Sequence, residues 1–460
     1  MLKQFIFNAS YFLLLLASVS CVSGQQHKSQ EFENAKVYAS VKCIADTNFS
    51  YALFLPPQYQ AEKPCLLLIL FDPHGDGLLP VTLFSADAAK SGFIIAGSNN
   101  SKNGMTTDQT TAIYQKMIAD IESRFNIEKK AVYLCGFSGG SRVSGAIAIT
   151  EGGIAGVVGC GAGLPNINQS PVNPFSYLAI AGKQDFNYTE MVNLDKSLEQ
   201  AGYQHYLLVF DGIHQWPPKE IIPEIFTWLR FDAMRQHVIP PDNAEINLFI
   251  DKNDKIATVF SAEGKPAQEQ EIYIKMMHYL QGLKDTAPLQ VEINRLSGEK
   301  QVIEYHNQQE EFFKIERDLQ QEYAPQLELK NTEWWTTESS RLLSLSNKPG
   351  NPGLSQVYKR LLGFLSLNSY MLSTNALKQG NLVDAERYIE IYGLIDPTNA
   401  EHCYLAAKVA AIQKNTDAVF KNLEQAYALG FKDSNRMKSD PDFKPYAQDE
   451  RFKSLISGRQ

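Results

Sequence analysis

Basic charge is in short supply in this chain. It holds 43 Lys and Arg against 51 Asp and Glu, a net charge of −8, and the basic residues are scattered. Nucleic acid and anionic membrane surfaces both need a clustered basic face, so neither is expected as a partner. Cysteine is also sparse. Six are present, and without Cys21 they are Cys43, Cys65, Cys135, Cys160 and Cys403, an odd set with no metal-ligand spacing. The expectation is free thiols, no metal and no cofactor, with Cys135 and Cys160 as small residues of buried strands. After the N-terminal segment, no apolar run is long enough to span a bilayer.

The N-terminal segment itself reads as a secretory signal over residues 1–24. Lys3 supplies the positive start, residues 5–16 are mostly apolar around Leu13 to Leu16, and small residues follow at Ala17, Ser18 and Ser20. Two processing sites stay open. Cys21 stands where a bacterial lipoprotein carries its lipidated cysteine, although Ser18 occupies a place where such signals usually have Leu; cleavage after Gly24 fits about as well. Either way the expectation is export from a bacterium, to the periplasm, the medium or the outer membrane, with membrane contact only through a lipid at Cys21.

From residue 30 to 238 strands and helices alternate. Residues 37–43 and 49–55 read as paired strands. Residues 65–71 form a continuous apolar run, as in a strand buried on both faces. Strands are expected at 93–97, 131–135, 154–160, 177–181 and 206–210, with helices between them. One helix is capped at Thr107 or Asp108 and a last one opens at Pro217-Pro218. This alternation implies a mostly parallel sheet with helices on both faces. Pro240-Pro241 marks a boundary. Residues 242–345 read as mainly helical, apart from a short strand expected at 291–293. A Ser/Asn/Pro/Gly linker lies at 346–353 and helices run from 354 to 460. Ala376, Gly380, Leu382, Ala385, Ile389 and Pro397 resemble a tetratricopeptide spacing, and a looser unit follows through Ala406, Ala410, Ala418 and Leu423. A generic helical hairpin is the alternative. Such hairpins imply a protein partner.

Chemistry concentrates in Gly136-Phe137-Ser138-Gly139-Gly140, which follows the strand at 131–135 and precedes a helix through Val143 and Ile147. That context is the one a nucleophile elbow requires. A serine hydroxyl needs a base. Only His74, His205 and His214 lie in the strand–helix region, and of these His214 follows the final strand whereas His205 precedes it. Asp185, just past the strand at 177–181, is the expected acid, with Asp211 as competitor. Gly139 N–H is one expected oxyanion donor, and Gly75 or Asp76 in the loop after residue 71 the other. His74, Asn99, Asn100 and Trp216 are candidate substrate contacts, the two Asn residues because their loop ends a parallel strand, where sites form.

On these motifs residues 37–236 resemble the α/β-hydrolases, and most of all small secreted esterases of the poly-hydroxybutyrate depolymerase, feruloyl esterase and dienelactone hydrolase types. The resemblance rests on His74-Gly75, the Ser138 elbow, the Asp185 loop and His214-Gln215-Trp216-Pro217. It implies carboxylic ester hydrolysis through an acyl-enzyme. Asp72-Pro73-His74-Gly75-Asp76-Gly77 and the Asn-rich loop at 98–104 depart from the usual pattern. About a dozen residues separate Gly163 from the strand at Tyr177, too few for a long lid, so an open site taking polar, carbohydrate-linked or polymeric esters is expected. A peptidase or amidase using the same triad, and a binding protein organised by the helical repeats, are the competing readings.

Overall fold

The computed structural model describes residues 32–165, 171–348 and 350–457. The expected export signal and Cys21 lie outside the described residues. Eight strands, β1 (Val37–Lys42), β2 (Ser50–Phe54), β3 (Cys65–Phe71), β4 (Phe93–Ser98), β5 (Ile127–Phe137), β6 (Ile154–Cys160), β7 (Ser176–Gly182) and β8 (His205–Phe210), form one sheet in the order β1-β2-β4-β3-β5-β6-β7-β8. β2 runs antiparallel to β1 and β4; all other pairs are parallel. With helices on both faces this is the mostly parallel α/β sheet that the strand–helix alternation implies.

Helices α1 (Leu78–Ser91), α2 (Thr107–Arg124), α3 (Gly139–Thr150), α4 (Tyr188–Gln200) and α5 (Ile222–Arg235) cover the sheet. Alternation in β3 sorts the faces. Leu66, Leu68 and Leu70 point into a core shared with Phe84 of α1 and Phe226 of α5, while Leu67 and Ile69, equally buried, serve the opposite face. Several sequence expectations need correction. The cap of α2 is Thr106, not Thr107 or Asp108: its side chain accepts from Gln109 N–H while Gln109 returns to Thr106 N–H, a complete capping box. The last helix starts at Ile222, since Pro217-Pro218 precede its cap Ile221. No helix separates β6 from β7 among the described residues.

The rest of the chain is helical: α6 (Asn243–Ala262), α7 (Pro266–Leu280), α8 (Ala287–Ser297), α9 (Lys300–Tyr323), α10 (Gln326–Leu329), α11 (Thr332–Ser346), α12 (Pro352–Lys378), α13 (Leu382–Ile395), α14 (Ala400–Ile412), α15 (Thr416–Ala428), α16 (Ser434–Ser439), a 3₁₀ turn at Pro441–Tyr446, and α17 (Glu450–Ser457). The short strand expected at 291–293 is instead the middle of α8, whose start is set by Pro288 in its first turn. α12 pairs with α13 and α14 with α15 as helical hairpins, turning at Gly380-Asn381 and Lys414-Asn415. None of the helices among the described residues is long and apolar enough to cross a membrane.

Pro240-Pro241 is not a break in packing. From Asn34 onward the chain is one compact unit. Ile246 and Phe249 of α6 and Met276, Tyr279 and Leu280 of α7 belong to the same core as α5 and the sheet. Tyr279 lies edge-on to Trp228 (ring centroids 5.1 Å) and stacks on Phe249 (5.0 Å).

Candidate active site

Ser138 sits between β5 and α3 with φ 52° and ψ −119°, a strained conformation for a non-glycine residue. Its glycine neighbours make that turn sterically accessible. A Cβ on Gly136 would lie 2.1 Å from the Gly140 carbonyl oxygen, and one on Gly140 2.0 Å from that of Phe71. Ser138 N–H donates to Cys160 O at 2.8 Å, which ties the elbow to the neighbouring strand. As the first residue of α3, Gly139 has no helix carbonyl to receive its N–H, so that group is available to an oxyanion.

The structure brings Ser138, His214 and Asp185 together. His214 Nε2 is 3.0 Å from Ser138 Oγ, and its Nδ1 is 2.9 and 3.0 Å from the two carboxylate oxygens of Asp185. Asp185 is buried and held from several sides: it accepts Asn187 N–H (2.8 Å), and Asn187 in turn donates its amide to Gly161 O (2.7 Å). Asp211 is exposed and does not occupy the imidazole's Nδ1 side. The imidazole lies between two rings, Phe186 at 4.2 Å and Phe137 at 4.7 Å between centroids. His205 stands at the opposite, amino end of β8, away from Ser138.

The loop after β3 is arranged differently from the expectation. Gly75 N–H donates to Asp72 O (3.2 Å) and His74 N–H to Asp72 Oδ1 (2.8 Å), so Gly75 is not a free donor. Asp76 N–H has no acceptor among the described residues. The buried Asp72 also accepts the Trp216 indole N–H at 2.9 Å, which joins the His214 loop to the β3 loop. Burial pushes the Asp72 carboxyl up, but the hydrogen bonds from His74 and Trp216 outweigh it and hold it below the usual carboxylate range. Trp216 is half-buried between Phe84 and Phe137, as a wedge beneath the site. The His74 ring is exposed at the mouth, beside Asp72, whose carboxylate raises its pKa.

Asn99 and Asn100 do not offer their side chains to the site. Asn99 Nδ2 donates to Ala39 O and Ser50 Oγ; Asn100 accepts Ser50 N–H and donates to Asn48 O. Both fasten their loop to β1 and β2. The residue of this loop that reaches the elbow is Asn103, which the sequence did not single out. A Cβ on Gly139 would lie 1.8 Å from Asn103 Oδ1, so the carboxamide rests directly on the residue after Ser138. Asn103 N–H donates to Pro73 O at 2.8 Å, which locks the two loops together. The available signal was a glycine at 139, which leaves room for a neighbour.

Helix α12 also reaches the site. Arg360 donates from NH1 to Lys183 O (2.7 Å), two residues before Asp185. The Arg360 guanidinium pairs with Glu316 of α9 (2.7 Å from Nε) and lies 4.9 Å from the ring centroid of Tyr188. Phe186, the ring against His214, packs on Gly363 of α12. The helical part therefore flanks the Asp185 loop, so one side of the expected open site is walled by α12.

No family model matches the sequence, and no curated protein matches it significantly. Solved structures that resemble part of it include S-formylglutathione hydrolase (FrmB) from Staphylococcus aureus, 15% identical with a TM-score of 0.35, covering 42% of this chain and 94% of that one. The feruloyl esterase module from Clostridium thermocellum is 14% identical with a TM-score of 0.34, covering 42% and 85%. A hyperthermophilic esterase from the archaeon Pyrobaculum calidifontis is 12% identical with a TM-score of 0.35, covering 44% and 87%.

Proposed function

We propose that this protein is an exported serine hydrolase that cleaves carboxylic esters, and that its substrates are polar, carbohydrate-linked among them. One observation carries the reading: a strained Ser138 at 3.0 Å from His214 Nε2, with His214 held by the buried Asp185. Ser138 Oγ attacks the ester carbonyl carbon while His214 takes its proton. Asp185 fixes the imidazole tautomer and stabilises the imidazolium. The carbonyl π pair moves onto oxygen, where Gly139 N–H receives it. Collapse expels the alcohol, which takes the proton back from His214. Water, deprotonated by the same imidazole, then attacks the acyl-enzyme and releases the acid and Ser138.

The second oxyanion donor in this reading is the Asn103 carboxamide. It lies against Gly139 and is exposed, and a half-turn about its last bond exchanges oxygen for NH₂. The main-chain amides of His74 and Gly75 are already engaged. Polar esters suit a mouth formed by His74, Asn103 and Lys102, all exposed. The tetratricopeptide-like hairpins supply a wall beside Phe186 and the surface for larger substrates or a partner.

A fluorophosphonate probe and an ester panel test the proposal. The full chain should label at one serine and turn over short activated esters, and Ser138→Ala should lose both while melting like the parent. His214→Ala should be nearly as severe as Ser138→Ala, and the double variant little worse, because the triad acts as a unit. Labelling that survives Ser138→Ala would refute the assignment.

A further inference from the structure

A second cluster of chemically capable side chains lies at the opposite end of the sheet from Ser138. His205 opens the edge strand β8 and is buried; Asp195 and Glu199 project from α4, and His278 from α7. His205 Nε2 is 3.4 Å from Asp195 Oδ1 and 3.7 Å from Glu199 Oε2. Donor atoms of Glu199, His205 and His278 all lie within 4.8 Å of one another, and the two imidazole centroids are 5.3 Å apart.

We propose that His205, His278, Glu199 and Asp195 bind one divalent transition-metal ion of the zinc type, which clamps α7 to the edge of the sheet. Tetrahedral zinc with bonds of about 2.0–2.1 Å sets its donors roughly 3.4 Å apart. The His205–carboxylate separations already meet that spacing, and the exposed Glu199 has freedom to close the remainder. The donor set is chemically apt: two imidazoles with two carboxylates suit zinc better than calcium or magnesium, which favour oxygen alone.

The surroundings of the ligands support the assignment. His205 Nδ1 donates to Tyr203 O at 2.9 Å, which orients the ring with Nε2 facing the two carboxylates. That is the outer-sphere arrangement of metal-bound histidine. Neither Asp195 nor Glu199 pairs with a lysine or arginine among the described residues, so without a metal ion the side-chain counter-charge facing them is His205 in its protonated form. Gln204 Nε2 donates to His278 O (2.9 Å), which holds the end of α7 beside β8 without the ion. Three donors are thus gathered across three elements, with Asp195 beside His205 as the fourth, and four protein ligands would leave no open position, which makes the proposed site structural. The ligand positions, 195, 199, 205 and 278, follow no short spacing motif, which is why the sequence indicated no metal.

The test uses the full chain stripped with a chelator and then titrated with zinc chloride. The expected result is about one zinc per chain and a raised melting temperature. Cobalt should give the visible bands of a tetrahedral ion without sulfur charge transfer, which separates this site from the free cysteines. His278→Gln and Glu199→Gln both alter residues that are not fully buried, so they should fold. They should weaken zinc binding by at least about 100-fold, since losing even an outer-sphere partner costs roughly 10–100-fold, and abolish the thermal shift, while their metal-free melts match the parent. No stoichiometric zinc, or zinc bound equally well by His278→Gln, would overturn the proposal.

Discussion

Arg360 joins the helical part of the chain to the loop that carries Asp185, and a set of substitutions can separate its two roles. Its guanidinium is buried, paired with a fully buried Glu316, and donates to Lys183 O ahead of Asp185. Glu316 Oε1 already lacks a hydrogen-bond partner. Arg360→Met keeps most of the volume but leaves that carboxylate buried and unpaired, which should cost about 3–5 kcal/mol. It also frees Lys183 O. Asp185 must stay aligned with His214 Nδ1 at 2.9 Å, and a displacement of about 1 Å in such a site costs on the order of 100-fold in rate. Arg360→Met together with Glu316→Met removes both charges. A buried ion pair replaced by apolar groups of similar size is often neutral or stabilising, so urea unfolding should return to near the parental midpoint. The Lys183 anchor stays absent, so kcat on a small activated ester should remain about 10–100-fold low. Stability that is unchanged in Arg360→Met would show that the pair is not truly desolvated. Full kcat in the double variant would show that α12 does not position the acid.

The other predictions concern the site and the boundary. Asn103→Ala should lower kcat by about 100-fold or more with little change in KM, the usual effect of removing one oxyanion donor; near-normal kcat would transfer that role to Asp76 N–H. Because the folded Asp72 carboxyl is held below its ordinary pKa, its contribution to stability is present above about pH 4 and is lost as pH falls through the folded value. Asp72→Asn should therefore flatten the acid limb of a pH–melting curve, and an identical limb would refute the link to Trp216. A chain ending at Pro240 loses Ile246, Phe249, Met276, Tyr279 and Leu280 from the sheet's core. At about 1.5–3 kcal/mol for each buried side chain, that is on the order of 10 kcal/mol, comparable to a whole domain's net stability. It should be insoluble or lack a cooperative melt; a soluble fragment with normal small-ester turnover would refute this.

Legibility in the sequence tracked how local the determinants were. β3 and β6 could be bounded to the residue because a strand buried on both faces is an unbroken apolar run. Ser138, Asp185 and His214 follow the ends of β5, β7 and β8, so their placement on one edge of the sheet is legible from the strand–helix alternation, whereas their mutual distances are not. Val291 and Ile293 favour strands, which is what the expectation at 291–293 rests on, although Pro288 signals a helix start. Thr106 with Gln109 three residues on is the local signal that puts the cap of α2 one residue before Thr107. Asn99, Asn100 and Asn103 share one loop and one composition, and only the fold decides that the first two fasten β2 while the third covers Gly139. Arg360 with Glu316, and His205 with His278, are joined across 44 and 73 residues respectively. No short-range pattern encodes such pairs.

The packing that continues across Pro240-Pro241 has a local signal of its own. A helix that closes a sheet against solvent carries an apolar stripe on one side and polar residues on the other. α5 does not. Ile222, Ile225, Phe226, Trp228, Leu229, Phe231, Ala233 and Met234 surround its axis and are all buried. A helix apolar on nearly every side must be covered on the side away from its sheet. Ile246 and Phe249, three apart on α6, and Met276, Tyr279 and Leu280 on α7 make the matching stripes. Pro240-Pro241 therefore turns the chain back over α5 to complete the layer. The same continuity carries α7 to His205 at one end of the sheet, and α12 reaches the acid loop at the other. A helical region anchored at both ends of the sheet can bias the geometry of Asp185, which a tethered separate module could not do.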